Sequence, residues 1–183
     1  MNRNQLHLYP PFTVLQPLQQ AHDAAYSRDI QNMSFWNQMT HYCLHQAKYV
    51  GRLTSFCPRN TTHSFDRIVT DSFVVTLAMA NALRLDLTQE LANIPPVSFS
   101  IKTPSGLADQ LLQPQAQLAS ALLDCPQPKP GVFNWLARQM PANRRQQTVA
   151  MAQMKQATLA FARIHAGVAM GLSMDMQQMV RER

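Results

Sequence analysis

Carboxylates are the first residues to weigh in this 183-residue chain, because hydrolysis at a hard metal centre needs several of them converging on one point. There are eight aspartates and only two glutamates, Glu90 and Glu182. Asp66 and Asp71 are five residues apart, so on a helix they project from different faces. Asp86 and Glu90 suit a helix cap or a local charge pair. His41 and His45, with Cys43 between them, have the i, i+4 spacing of two zinc ligands. No HExxH sequence and no second Cys/His pair accompanies them, so they read first as helix surface or core packing. Cys43, Cys57 and Cys125 form no CxxC pair and cannot all pair within one chain, which suits free thiols in a reducing compartment. The sequence has no glycine-rich phosphate loop, no GxSxG and no aromatic-basic interleaving of an RNA-binding sheet.

Charge points to acidic partners. The net charge is +6, with twelve Arg against four Lys, which favours phosphates, nucleotides or nucleic acid. The basic residues are thinly spread. Arg144-Arg145 and the tail Arg181–Arg183 are the places where a nucleic-acid-binding accessory protein would make its contacts. Only 14% of residues are charged, against roughly 25% in an average domain, and Gln, Ala and Met take the helix-surface positions instead. No apolar run reaches the roughly 18 residues of a membrane span. The start, Met1-Asn2-Arg3-Asn4-Gln5, leads into Pro10-Pro11 and not into an apolar signal core. The expectation is a cytoplasmic protein with no membrane partner.

The elements that must position these groups read as helices throughout, an all-α bundle. Residues 1–12 form an irregular arm, because Pro10-Pro11 blocks a helix. A first helix starts near Thr13 on the stripe Leu15, Leu18, Ala21 and Ala25. A second runs from about Met33 to Phe56, with Phe35, Met39, Leu44, Ala47, Val50 and Leu53 facing inward. Breakers over Cys57–Thr62 precede a third helix, capped by Ser64 and carrying on to Leu85. Its Phe73–Leu83 stretch is apolar nearly all round, which places it in the middle of a bundle or at an oligomer interface. Residues 13–94 then make one module and 95–104 a linker. The second module, 105–183, contains a helix from Ser105 to Asp124 bent or restarted at Pro114, and a short helix over Val132–Met140. A long helix from about Ala142 to Met170 and a terminal helix from Ser173 to Arg181 complete it. Arg163 and His165 interrupt an apolar stretch and must each find a partner or a wet edge, whereas Trp36 and Trp135 read as core or interface residues.

The two halves share a cadence. Ala80–Leu87 matches Gly167–Met174, and Tyr49–Leu53 matches Leu118–Leu122, as in a degenerate duplication in which each hairpin covers its neighbour's apolar face.

The stretch Asp71–Leu87, DSFVVTLAMANALRLDL, resembles the third helix and following turn of the MazG-like nucleotide pyrophosphohydrolases. Lys48-Tyr49-Val50-Gly51-Arg52-Leu53 stands where that family has Glu-Glu-Val-Gly-Glu-Leu. The resemblance covers roughly residues 30–92. It implies an α-helical core, usually assembled from two chains, that cleaves nucleoside triphosphates to monophosphate and pyrophosphate. Magnesium in that family is held by an ExxE pair and an ExxD pair. Carried over, the first pair falls on Tyr49 and Arg52 and the second on Ile68 and Asp71, so Asp71 is the sole remnant of the motif. In the second half the matching positions are Leu118, Ala121, Lys155 and Thr158, with no carboxylate.

The resemblance therefore implies a catalytically inactive binding or regulatory module with a nucleotide or protein partner, no catalytic residues and no metal. Lys48, Arg52 and Arg67 would lie where the family holds triphosphate, and are the phosphate-binding candidates. Two alternatives stand beside it: a divergent active pyrophosphohydrolase using magnesium with Asp66, Asp71 or Asp86, and the nucleic-acid-binding accessory protein. A homodimer through Phe73–Leu83 is expected if one chain does not supply the whole bundle.

Overall fold

The computed structural model describes residues 11–58, 64–94, 103–125 and 141–182. Among them every regular element is a helix: α1 (Phe12–Tyr26), α2 (Arg28–Gln31), α3 (Phe35–Thr54), α4 (Phe65–Ala82), α5 (Leu87–Leu91), α6 (Pro104–Leu123), α7 (Pro141–Gly171) and α8 (Met176–Arg181). Five of these helices start at side-chain caps that satisfy otherwise orphaned N–H groups. Ser34 Oγ accepts from Asn37 N, Ser64 Oγ from Arg67 N, and Thr103 Oγ1 from Gly106 N. Asp86 and Asp175 do the same for α5 and α8.

Four long helices close a ring: α3 packs on α4, α4 on α7, α7 on α6 and α6 back on α3. This is a four-helix bundle supplied by one chain, with α1 laid against α4 and touching α5 and α8. Phe73, Leu77 and Met79 of α4, Met39 and Leu53 of α3, Leu111 of α6 and Phe161 of α7 are fully buried in it. The segment Phe73–Leu83 is thus covered largely by its own chain, as expected for a helix in the middle of a bundle. Contacts between Phe56 and Phe65, and between Gln46 and Thr76, fix α3 and α4 as antiparallel neighbours.

Several expected details differ. Leu44 is 65% exposed and Ala47 is also outside, because α3 buries Met39, Tyr42, Cys43, Gln46, Tyr49, Val50 and Leu53, which puts position 44 on the opposite face. Ala21 and Ala25 are exposed for the same geometric reason on α1. Pro114 neither bends α6 into two helices nor restarts it, and sits buried inside one continuous element. The terminal helix begins at Met176 and not at Ser173, since Asp175 is its cap. The expected helix over 132–140, Trp135, and most of both the arm and the linker lie outside the described residues.

The two hairpins end alike. After α4, Leu85 N bonds Ala80 O at 2.9 Å and Arg84 takes φ 54°; after α7, Met174 N bonds Ala169 O at 2.8 Å and Ser173 takes φ 53°. Both are Schellman-type stops, and each leads straight into an Asp-capped short helix. The structural register is therefore Arg84 with Ser173, two residues away from the pairing suggested by the sequence cadence, in which small apolar residues match cheaply. Ile68 and Asp71 then correspond to Ala157 and Ala160. Between α3 and α6 the caps Ser34 and Thr103 correspond, as do Tyr49 and Leu118.

A non-glycine residue in the left-handed region is strained by its Cβ. Arg84→Gly and Ser173→Gly should each therefore stabilise the fold by about 0.5–1 kcal/mol, read as a higher urea midpoint, and the two gains should add because the sites share no partner. Loss of stability in both variants would show that the side chains, not the backbone, hold these turns.

Candidate phosphate-binding face of the bundle

Along α3 the residues His41, His45, Lys48 and Arg52 recur at spacings of four, three and four, which puts them in one row on the helix surface. The row is about 16 Å long at 1.5 Å per residue. His41 and His45 have ring centroids 4.4 Å apart, and Lys48 Nζ lies 3.2 Å from His45 Nδ1. Lys48 Nζ also sits 4.4 Å from the centre of the Tyr49 ring, with the Arg52 guanidinium carbon 5.8 Å from it on the same ring. Cations gather over an aromatic ring because its quadrupole presents a negative face.

Burial is the larger influence on the titrating groups of this row, and neighbouring basic groups add to it. Partial burial and then the Arg52 guanidinium push the Lys48 ammonium below its ordinary value. Partial burial, then Lys48, then His41 push His45 down as well.

The structure brings Lys48 and Arg52 together over the Tyr49 ring. Arg67 does not join them on α3. It is exposed on the first turn of α4, toward the end of the hairpin where Arg52 also lies. Asp71 is one turn further along α4 and half-buried. Arg144 and Arg145 are exposed at the start of α7, and Arg181 is exposed at the end of α8. The sequence reading missed the contribution of His41 and His45 to the row, although the 4-3-4 spacing was the signal that could have found it. Among the described residues no group of three His, Cys, Asp or Glu side chains is placed to hold a metal ion, and no helix is long and apolar enough to cross a membrane.

A second polar cluster lies in the core. Gln46 Nε2 donates to Ser72 O and to Thr76 Oγ1, both at 2.9 Å, and Ser72 Oγ lies 2.6 Å from Gln46 Oε1. His165 places Nε2 2.9 Å from Ser72 Oγ and Nδ1 2.7 Å from Phe161 O. A hydroxyl within hydrogen-bond reach of an imidazole is the arrangement of an activated nucleophile. Here Gln46, Ser72, Thr76 and His165 are all fully buried, so no substrate reaches the pair and its role is to tie α3, α4 and α7 together. His165 thus finds the partners that its place on an apolar helix demanded.

No protein family, curated protein or solved structure matches this chain.

Proposed function

We propose that the chain is a non-catalytic helical module of MazG-like type that binds a phosphate-bearing ligand, a nucleotide in the first instance, directly through cations. The observation that carries this reading is the row His41, His45, Lys48 and Arg52 on one face of α3, with Lys48 and Arg52 both over the Tyr49 ring. The carboxylates that would hold magnesium in the family are replaced here by Tyr49, Arg52 and Ile68. Arginine and lysine neutralise phosphate oxygens by charge-assisted hydrogen bonds, and the buried Tyr49 ring holds the two cations side by side. Arg67 would meet the outer phosphates from α4. The outcome is recognition without turnover, as in a regulatory subunit or sensor.

Calorimetric titration of nucleoside mono-, di- and triphosphates, with and without magnesium and beside a pyrophosphate-release assay, tests the reading. Binding should strengthen with phosphate number, need no magnesium and weaken with salt. Lys48→Ala and Arg52→Ala should each weaken it about tenfold, the size of one charge-assisted contact. Arg67→Ala should act more on triphosphate than on monophosphate. Pyrophosphate release abolished by Asp71→Ala would instead establish the divergent enzyme. No binding of any nucleotide would move the search to protein partners.

A further inference from the structure

Beside the basic row, a cavity of about 210 Å³ opens between α1, α2, α3 and α4, lined on α3 by Gln38 and Tyr42. Seven of its nine lining residues are polar and none is a lysine or arginine, in a chain whose net charge is +6. Its floor is locked. Asn81 Nδ2 donates to Gln16 O at 3.0 Å and to Gln19 Oε1 at 2.7 Å, while Asn81 Oδ1 accepts from Gln16 Nε2 at 3.1 Å. Gln19 is almost wholly buried and in turn donates to Asp23 Oδ2 at 2.5 Å.

This arrangement fixes one carboxylate in place and leaves it underused. The Asp23 side chain is only 15% exposed, and its second oxygen, Oδ1, has a contact of 3.4 Å to His22 Nδ1. That distance lies beyond the usual range of an N–H···O bond. An ionised carboxylate has about four acceptor positions, and removing one from water is costly unless a charge or several donors meet it. Tyr42 and the amide side chains of Gln20, Gln31 and Gln38 line the same cavity. Burial, and then the Asp23 charge, push Tyr42 up to about 12, so its hydroxyl stays neutral beside the carboxylate.

We propose that this cavity is a binding site for a compact organic cation with an ammonium or guanidinium head, which donates to Asp23 Oδ1 while the amides of Gln20, Gln31 and Gln38 and the Tyr42 hydroxyl take its remaining donors. A cavity of about 210 Å³ suits a small amine of a few carbons. A phosphate is excluded by Asp23, just as an amine is excluded by the basic row. The two sites therefore have opposite charge preferences and separate tests.

Titration of the full chain with agmatine, putrescine and guanidinium, at matched ionic strength in sodium chloride, decides the matter. Agmatine should bind saturably with one site, at least tenfold more weakly in Asp23→Asn, several-fold more weakly in Gln38→Ala, and unchanged in Lys48→Ala. Absence of saturable binding of all three probes up to about 10 mM, the range of a weak ion-paired contact, overturns the proposal. So does equal affinity in a folded Asp23→Asn variant. Should that variant fail to fold, the rim double variant Gln31→Ala/Gln38→Ala decides: weakened agmatine binding upholds the site and unchanged binding removes it. Failure here leaves the nucleotide result untouched, because Lys48 and Arg52 take no part in this cavity.

Discussion

Phe73→Ala is expected to lower the unfolding free energy by about 3–5 kcal/mol, the range for a fully buried aromatic residue that leaves a cavity behind. Phe73 is wholly buried on α4, with ring centroids 6.2 Å from Phe12 on α1 and 5.8 Å from His165 on α7. One side chain therefore joins three helices, and rigid neighbours on three sides cannot all move to close the gap. Against a total of about 5–15 kcal/mol for an ordinary domain, the variant should be marginal at room temperature. Urea unfolding followed by circular dichroism measures it. The companion variant Leu44→Ala should change stability by less than about 0.5 kcal/mol, because a surface substitution away from caps and networks does little. A large loss at Leu44 would mean that its exposed face is buried in solution by a second chain.

That pair of variants also marks how far the sequence could be read. The helices were legible because their apolar residues recur every three or four positions and because Ser64 and Asp86 suit helix caps. The inward face of α3 was not, since Leu44 and Ala47 look like core residues while Gln46 and Tyr49 do not. Only the neighbours decide which side of an amphipathic helix is covered. The polar core residues Gln46, Ser72 and Thr76 carry little local signal, because Gln46 is 26 and 30 positions from Ser72 and Thr76, and His165 is 93 from Ser72. Lys48 and Arg52 were found through a family motif, yet what gathers them is Tyr49, a residue that the motif comparison marked only as a missing carboxylate. Asp23 and Tyr42, which meet from α1 and α3, are nineteen positions apart and belong to no motif.

Acid should cost the fold about 3 kcal/mol through His165 alone. Burial pushes its imidazole down from 6.5 to about 4, with the Phe161 carbonyl opposing that shift. The Phe161 oxygen can only accept, so Nδ1 carries the proton and Nε2 is left as an acceptor for the Ser72 hydroxyl. The single Ser72 proton is then wanted twice, by His165 Nε2 and by Gln46 Oε1. Protonating the ring would supply the missing donor, but the desolvation of a fully buried cation outweighs that gain. Because the folded value lies below the unfolded one, the unfolded chain binds the extra proton between the two. Stability from this residue is therefore complete above about pH 6.5 and is lost progressively as pH falls toward 4; at about 1.36 kcal/mol per unit this gives the figure above. His165→Gln should be less stable at neutral pH, since Ser72 Oγ and Phe161 O lose the imidazole that bonds them, but its stability should vary less with pH across that window. Urea midpoints measured at half-unit steps from pH 7 to pH 4 separate the two effects. A slope in the variant equal to that of the parent chain would assign the acid sensitivity to other groups and leave the buried network with a packing role only.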